Sequence, residues 1–265
     1  MTDRPESEAV LSPEEVRKIL GVCSPEAVLV GGQALGFWAD HYGVSRPLPL
    51  IPVVTADVDF IGGSALARKL AEALGWKCWM PSIDDVTVQS GKVTLRMPDD
   101  SIKQVDFLFA VAGLTTADVI RRAIEMQVPE IGTLRVMHPI DVLDSRIQNL
   151  LLIPGKRNEM GTAQAQLAVL VVRAFIQDEI HARGERRALK LLERVVSLAE
   201  SPGAIRIFIA YGIDPLAAIP DEAFRTTSSL HTKRWPRITS HISEQRERAA
   251  KLLRRTKASS AAEKV

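Results

Sequence analysis

The sequence predicts an α+β fold, in which a mixed β-sheet flanked by helices is followed by an α-helical C-terminal domain. Three observations predict it. The apolar run "VLV" ends at once in Gly31-Gly32 and passes into a helical pattern, so a strand feeds a helix through glycine. Between residues 57 and 110, short runs rich in β-branched and aromatic residues recur with turn residues between them, as the strands of a sheet do. After His138-Pro139 the apolar residues fall at helical spacing to the end of the chain. The expected division is therefore an α+β domain over 1–137 and a helical domain with a basic tail over 138–265.

Each element has a local reason. Ser12 followed three residues later by Glu15, with Pro13 at the first helical position, forms a capping-box pattern and starts a short leading helix. A strand at 27–30, the glycine pair and a helix through "ALGFWADHYG" follow, then a Pro-rich connector "RPLPLIP" expected to be an extended loop. "TADVDFIGG" reads as a strand closed by Gly62-Gly63, and "SALARKLAEALG" as a helix capped by Ser64 and stopped by Gly75. Strands are expected at "WKCWM", "VTVQS", "KVTLRM" and "KQVDFLFA", with turns at Ser90-Gly91 and Pro98-Asp99-Asp100. From residue 114 the pattern is helical, broken by one strand at "IGTLRVM". Helices are expected at 139–152, 159–181, 184–200 and 203–211, and "EQRERAAKLLRRTKASSAAEKV" reads as a basic helix that frays.

Composition narrows the functional classes. With 46% hydrophobic and 25% charged residues the chain is globular, which excludes collagen-like, disulfide-scaffold and wholly disordered readings. No stretch offers 18 uninterrupted apolar residues, and the acidic, polar start "MTDRPESEAV" is unlike a secretory signal, so no membrane partner and a cytoplasmic location are expected. Cys23 and Cys78 have no metal-type spacing and read as two reduced thiols. The net charge of +2 hides a split: about 12 Lys and Arg face about 18 Asp and Glu in residues 1–130, against about 22 and 14 thereafter. Such a basic half suits nucleic acid, although basic helices also serve as solvated faces. His41, His138, His181, His231 and His241 are scattered without ligand spacing, and Phe37 and Trp38 read as core. "TKRWPR" mixes basic and aromatic residues, as single-strand binders do, over only six positions.

The carboxylates carry the chemistry. In "ADVDF" Asp57 and Asp59 stand two apart on a strand and project from one face, while Val58 and Phe60 pack the other. Two anions held side by side repel unless a cation lies between them or one takes up a proton. Oxygen donors at this spacing suit Mg²⁺, which takes a few carboxylates supplemented by water and substrate phosphates. Asp106 in "KQVDFLF" repeats the apolar-Asp-apolar pattern on what should be a neighbouring strand. Aspartates near strand ends also serve as turn formers and caps. Here, however, the pair sits inside an apolar strand, a glycine turn lies upstream, and the pattern recurs about fifty residues on.

"VGGQAL", "TADVDF" and "QVDFLF" resemble the glycine motif, paired aspartates and third aspartate of the polymerase-β-like nucleotidyltransferase superfamily. They are most similar to the AbiEii and MenT types of nucleotidyltransferase toxin in bacterial defence systems. The resemblance spans residues 25–110 and continues less specifically through "HPIDVLDSRIQNL". It implies that Asp57, Asp59 and Asp106 hold Mg²⁺ or Mn²⁺, that Asp106 as the third member also helps activate the attacking hydroxyl, and that Gly31 and Gly32 position the triphosphate. Gln33 stands where the family commonly has Ser or Thr, and Arg146 where the toxin group usually has Lys, a planar fork in place of a point charge. The implied activity is transfer of NMP from an NTP to a hydroxyl of tRNA or protein, with a cognate antitoxin as a partner. A small-molecule nucleotidyltransferase of aminoglycoside type, and a non-catalytic nucleotide- or nucleic-acid-binding protein of the same fold, are the alternatives.

Overall fold

A computed structural model describes residues 9–45, 57–220 and 234–262. The Pro-rich connector 46–52, His231 and the first two residues of "TKRWPR" lie outside the described residues. The chain forms two compact units, Met1–Ser145 and Arg146–Val265, so the division falls inside the helix that starts at Pro139.

The first unit is α+β. Helix α1 (Pro13–Cys23) is entered through the reciprocal cap: Ser12 N–H donates to Glu15 Oε2 at 2.7 Å and Glu15 N–H to Ser12 Oγ at 3.2 Å. Strand β1 (Val28–Val30) is wholly buried and runs without a loop into α2 (Gly31–His41). Next come β2 (Asp57–Ile61), α3 (Ser64–Leu74), β3 (Lys77–Trp79), β4 (Gln89–Arg96), β5 (Ile102–Leu108), α4 (Thr116–Arg122), β6 (Ile124–Val128) and β7 (Gly132–Val136). Among the described residues the strands form one seven-stranded sheet in the order β3-β4-β5-β2-β1-β7-β6. It is mixed: β2 pairs with β5 and β1 with β7 in parallel, and the other neighbours are antiparallel.

One face of the sheet is the core. Leu29, Val58, Phe60, Val93, Val105, Phe107, Leu134 and Val136 are all 2% exposed or less, with the Phe60 and Phe107 rings stacked at 5.7 Å between centroids. Helix α3 covers β4 on this side, since a Cβ on Gly91 would lie 2.9 Å from that of Ala67. Trp38 on α2 is 1% exposed and its indole N–H donates to Met137 C=O at 2.8 Å, so this ring is core as expected. Cys23 is a buried free thiol, its pKa pushed up to about 12 by burial, and Cys78 is an exposed one.

Several details differ from expectation. Gly63 caps α3 and Ser64 is its first residue; the Gly75 stop is left-handed, at φ 69°. Ser90-Gly91 is not a turn but a bulge inside β4, and residues 86–88 precede that strand. A further strand, β6, pairs with β7 where helix was expected. The turn at Pro98–Asp100 is as anticipated, closed by Met97 N–H donating to Ser101 C=O at 2.8 Å.

The second unit is helical. Helix α5 (Pro139–Leu152) spans the division, and α6 (Glu159–Arg183), α7 (Glu185–Glu200), α8 (Pro202–Tyr211) and α9 (Trp235–Ala262) follow close to the expected positions, with α9 starting before the expected tail. Asp214 accepts two bonds from Arg246, whose guanidinium lies 3.8 Å over the Phe208 ring. No described helix is long and apolar enough to cross a membrane.

Glu15 supports a stability prediction. Its carboxylate takes Lys103 Nζ at 2.8 Å on both oxygens, linking α1 to β5. Burial works against the charge, but the bonds from Lys103 and Ser12 outweigh it, and the carboxyl is held below its ordinary range. A depressed carboxyl stabilises the fold above its unfolded pKa of about 4.3, and this contribution is lost as pH falls through the folded value. Glu15→Gln should therefore lower the melting temperature by a few degrees at neutral pH, on the scale of about 1 kcal/mol, with the difference shrinking as pH falls through the folded value of the carboxyl. Melting curves of both proteins against pH check this.

Candidate active site

The alternation of β2 places Asp57 and Asp59 on the face opposite Val58 and Phe60, both half-exposed. Strand pairing then sets their neighbours. Asp59 is in register with Asp106 on parallel β5, and Asp106 with Lys92 on antiparallel β4. Register partners share a face, so Asp57, Asp59 and Asp106 lie on one face, with Asp59 and Asp106 one strand spacing apart, about 4.8 Å, and Asp57 two residues along, opposite Gln104.

Asp106 is held in place. It is 7% exposed; Gln89 Nε2 donates to Oδ1 at 2.8 Å, Gln104 Nε2 to Oδ2 at 3.4 Å, and Lys92 Nζ lies 3.7 Å from Oδ1. A buried carboxylate needs such compensation. The sequence reading missed Lys92, Gln89 and Gln104. Its signal was present for two of them: in "KVTLR" and "KQVDF" the polar residues alternate with the buried ones, which assigns Lys92 and Gln104 to the carboxylate face.

Gly31 is the first residue of α2 and has φ 67°, a conformation side chains rarely adopt. A Cβ here would overlap the Asp59 carboxylate and stand 2.9 Å from its Cγ and 3.0 Å from its Cβ. The room that Gly31 leaves is thus filled by Asp59, whereas the sequence reading gave it to phosphate. Gly32 and Gln33 follow in the first turn of α2, half-buried.

Arg146 opens the second unit. It is 7% exposed and its Nη1 donates to Gln164 Oε1 at 3.1 Å. Near the start of α5, His138 Nδ1 accepts from Ile140 N–H at 3.1 Å, a capping role, and Asp141 accepts from Arg122 Nε at 2.9 Å.

The donor set can be tested against a divalent cation. No group of three or more His, Cys, Asp or Glu among the described residues is placed as a ready cation cage. Two neighbouring carboxylates with a third on the same face nonetheless fit Mg²⁺ chemistry, because this ion keeps waters and uses one or two carboxylates together with substrate phosphates.

The sequence matches no protein-family model and no curated protein. Among solved structures, the chain is similar to JHP933 from Helicobacter pylori, with 14% identity and a TM-score of 0.38 over 94% of this chain and 95% of that one. It is also similar to the Megavirus polyadenylate synthase, with 14% identity and a TM-score of 0.35 over 68% of this chain and 38% of that one.

Proposed function

We propose that this chain is a metal-dependent nucleotidyltransferase that moves an NMP unit from an NTP to an acceptor hydroxyl. The observation that carries the proposal is the single sheet face bearing Asp57, Asp59 and Asp106, with Asp59 in register with Asp106 and lodged against Gly31 at the start of α2. Transfers at phosphorus need charge neutralisation and alignment more than covalent help from the protein. Asp57 and Asp59 would hold Mg²⁺ or Mn²⁺, which when bound supplies positive charge to the triphosphate.

The remaining roles fall to the chain itself. The first-turn amides of Gly32 and Gln33 face the leaving pyrophosphate, as helix N-termini suit anions. Asp106, fixed by Gln89 and Gln104, orients the acceptor hydroxyl and receives its proton as the new O–P bond forms and the α-phosphorus bond to pyrophosphate breaks. Arg146 is a candidate phosphate-holding cation on the strength of the motif resemblance. That resemblance is also the ground for a toxin role, a tRNA or protein acceptor and a cognate antitoxin.

Incubation with each α-phosphate-labelled NTP, with total tRNA and cell lysate as acceptor pools, tests the proposal. Label should enter one pool with Mg²⁺ or Mn²⁺ and be abolished by chelator. Label in no pool with any NTP contradicts it.

A further inference from the structure

The row of register partners does not end at Lys92. Lys92 is paired with Trp79 on β3, so one line across the sheet reads Trp79, Lys92, Asp106, Asp59, with Lys77 two residues along β3 on the same face as Trp79. Trp79 lies on an edge strand and is 42% exposed, a large aromatic surface that the core does not use. Lys92 keeps 29% of its side chain exposed beside it. Exposed edge strands are ordinarily protected by charge. This one carries Lys77 in that role but also presents an exposed indole, with Lys92 opposite it on β4, the combination that holds single-stranded nucleic acid by stacking and phosphate contact.

In-line transfer decides which substrate this surface meets. The attacking and leaving oxygens lie on opposite sides of the reacting phosphorus. With pyrophosphate leaving toward the N-terminus of α2, beside Asp59, the hydroxyl enters from the side of Asp106, Lys92 and Trp79. Two strand spacings, roughly 10 Å, separate the strand of Trp79 from that of Asp106, which is the scale of one nucleotide.

We propose that Trp79 and Lys92 form an acceptor-side platform that stacks a nucleobase and holds a phosphate of a single-stranded RNA end, presenting its hydroxyl to Asp106. The proposal rests on the nucleotidyltransferase reading above and narrows its acceptor to one that carries a base. Trp79 and Lys92 act in binding and positioning. An amino-acid hydroxyl would leave the indole unused.

The test measures anisotropy of a short fluorescein-labelled single-stranded RNA, and of the same RNA lacking its 3′-terminal base, on the full chain and on Trp79→Ala, Trp79→Phe and Lys92→Gln. Trp79→Ala should weaken binding of the intact RNA by about tenfold or more, and Trp79→Phe should recover most of it, because stacking needs a ring and not an indole specifically. The abasic RNA should bind wild type and Trp79→Ala alike. Lys92→Gln should weaken both RNAs and reduce the dependence of log K on log salt by about one. The thermal shift produced by Mg²⁺ with NTP should be the same in Trp79→Ala as in wild type. Equal binding of intact RNA by wild type and Trp79→Ala overturns the platform while leaving the transferase reading standing. Loss of the Mg²⁺–NTP shift in Trp79→Ala with RNA binding intact also overturns it, since the indole would then serve the donor base. Absence of that shift in wild type is a failure of the transferase reading itself.

Discussion

Asp57→Ala and Asp59→Ala are each expected to lower nucleotidyl transfer about a hundredfold or more while leaving the protein folded. Each removes a carboxylate that would hold the cation, and loss of one electrostatic partner of a phosphoryl transition state costs on that order. Stability should hardly suffer. Both side chains are half-exposed on the face away from Phe60 and Phe107, so neither truncation opens the core. Transfer of α-labelled NMP, with melting curves on the same samples, separates the two quantities. Activity that survives both substitutions would show the pair to be structural.

Gly31→Ala should be nearly as severe for activity, by a different route. At φ 67° an alanine is strained by about 1 kcal/mol, and its methyl would occupy the place of the Asp59 carboxylate. The short Asp59 side chain must swing away, because its own Cβ would stand only 3.0 Å from the new methyl. A displacement of about 1 Å in a catalytic group costs on the order of a hundredfold. The fold tolerates the movement better, so the melting temperature should fall by a few degrees. Full activity in Gly31→Ala would mean that the position of Asp59 is immaterial to the reaction.

The same residues show what a single chain reveals and what it hides. Long helical segments were legible because apolar periodicity persists over several turns in α5, α6, α7 and α8. Strand β6 was missed although Ile124, Met126 and Val128 alternate with Glu125 and Gln127; its apolar residues are only half-buried on an edge, so the contrast is faint. Ser90-Gly91 looked like a turn. Its glycine instead admits Ala67 and Met80 against the sheet, and Ser90 Oγ donates to Gly62 C=O at 2.6 Å, both consequences of tertiary packing.

For the candidate site, period-two alternation was enough to put Asp57 and Asp59 on one face and to make Asp106 their analogue. Register was not legible. That Asp59 meets Asp106 and that Gly31 yields its space to Asp59 depend on pairing between strands far apart in sequence, which side-chain alternation cannot specify, whereas the meeting of Asp106 with Lys92 follows from the hairpin turn at Pro98–Asp100.

The central claim is that the carboxylate face binds cation and nucleotide as a unit, each compensating the other's charge. The most direct measurement is the melting temperature of the full chain with Mg²⁺ alone, with each NTP plus chelator, and with both together. Either component alone should move the midpoint little. Together, at about a hundred times the dissociation constant, they should stabilise by about 2.7 kcal/mol and raise the midpoint by several degrees, a shift absent in Asp57→Ala. A wild-type curve unmoved by any NTP with Mg²⁺ or Mn²⁺, or an equal shift in Asp57→Ala, would contradict the account.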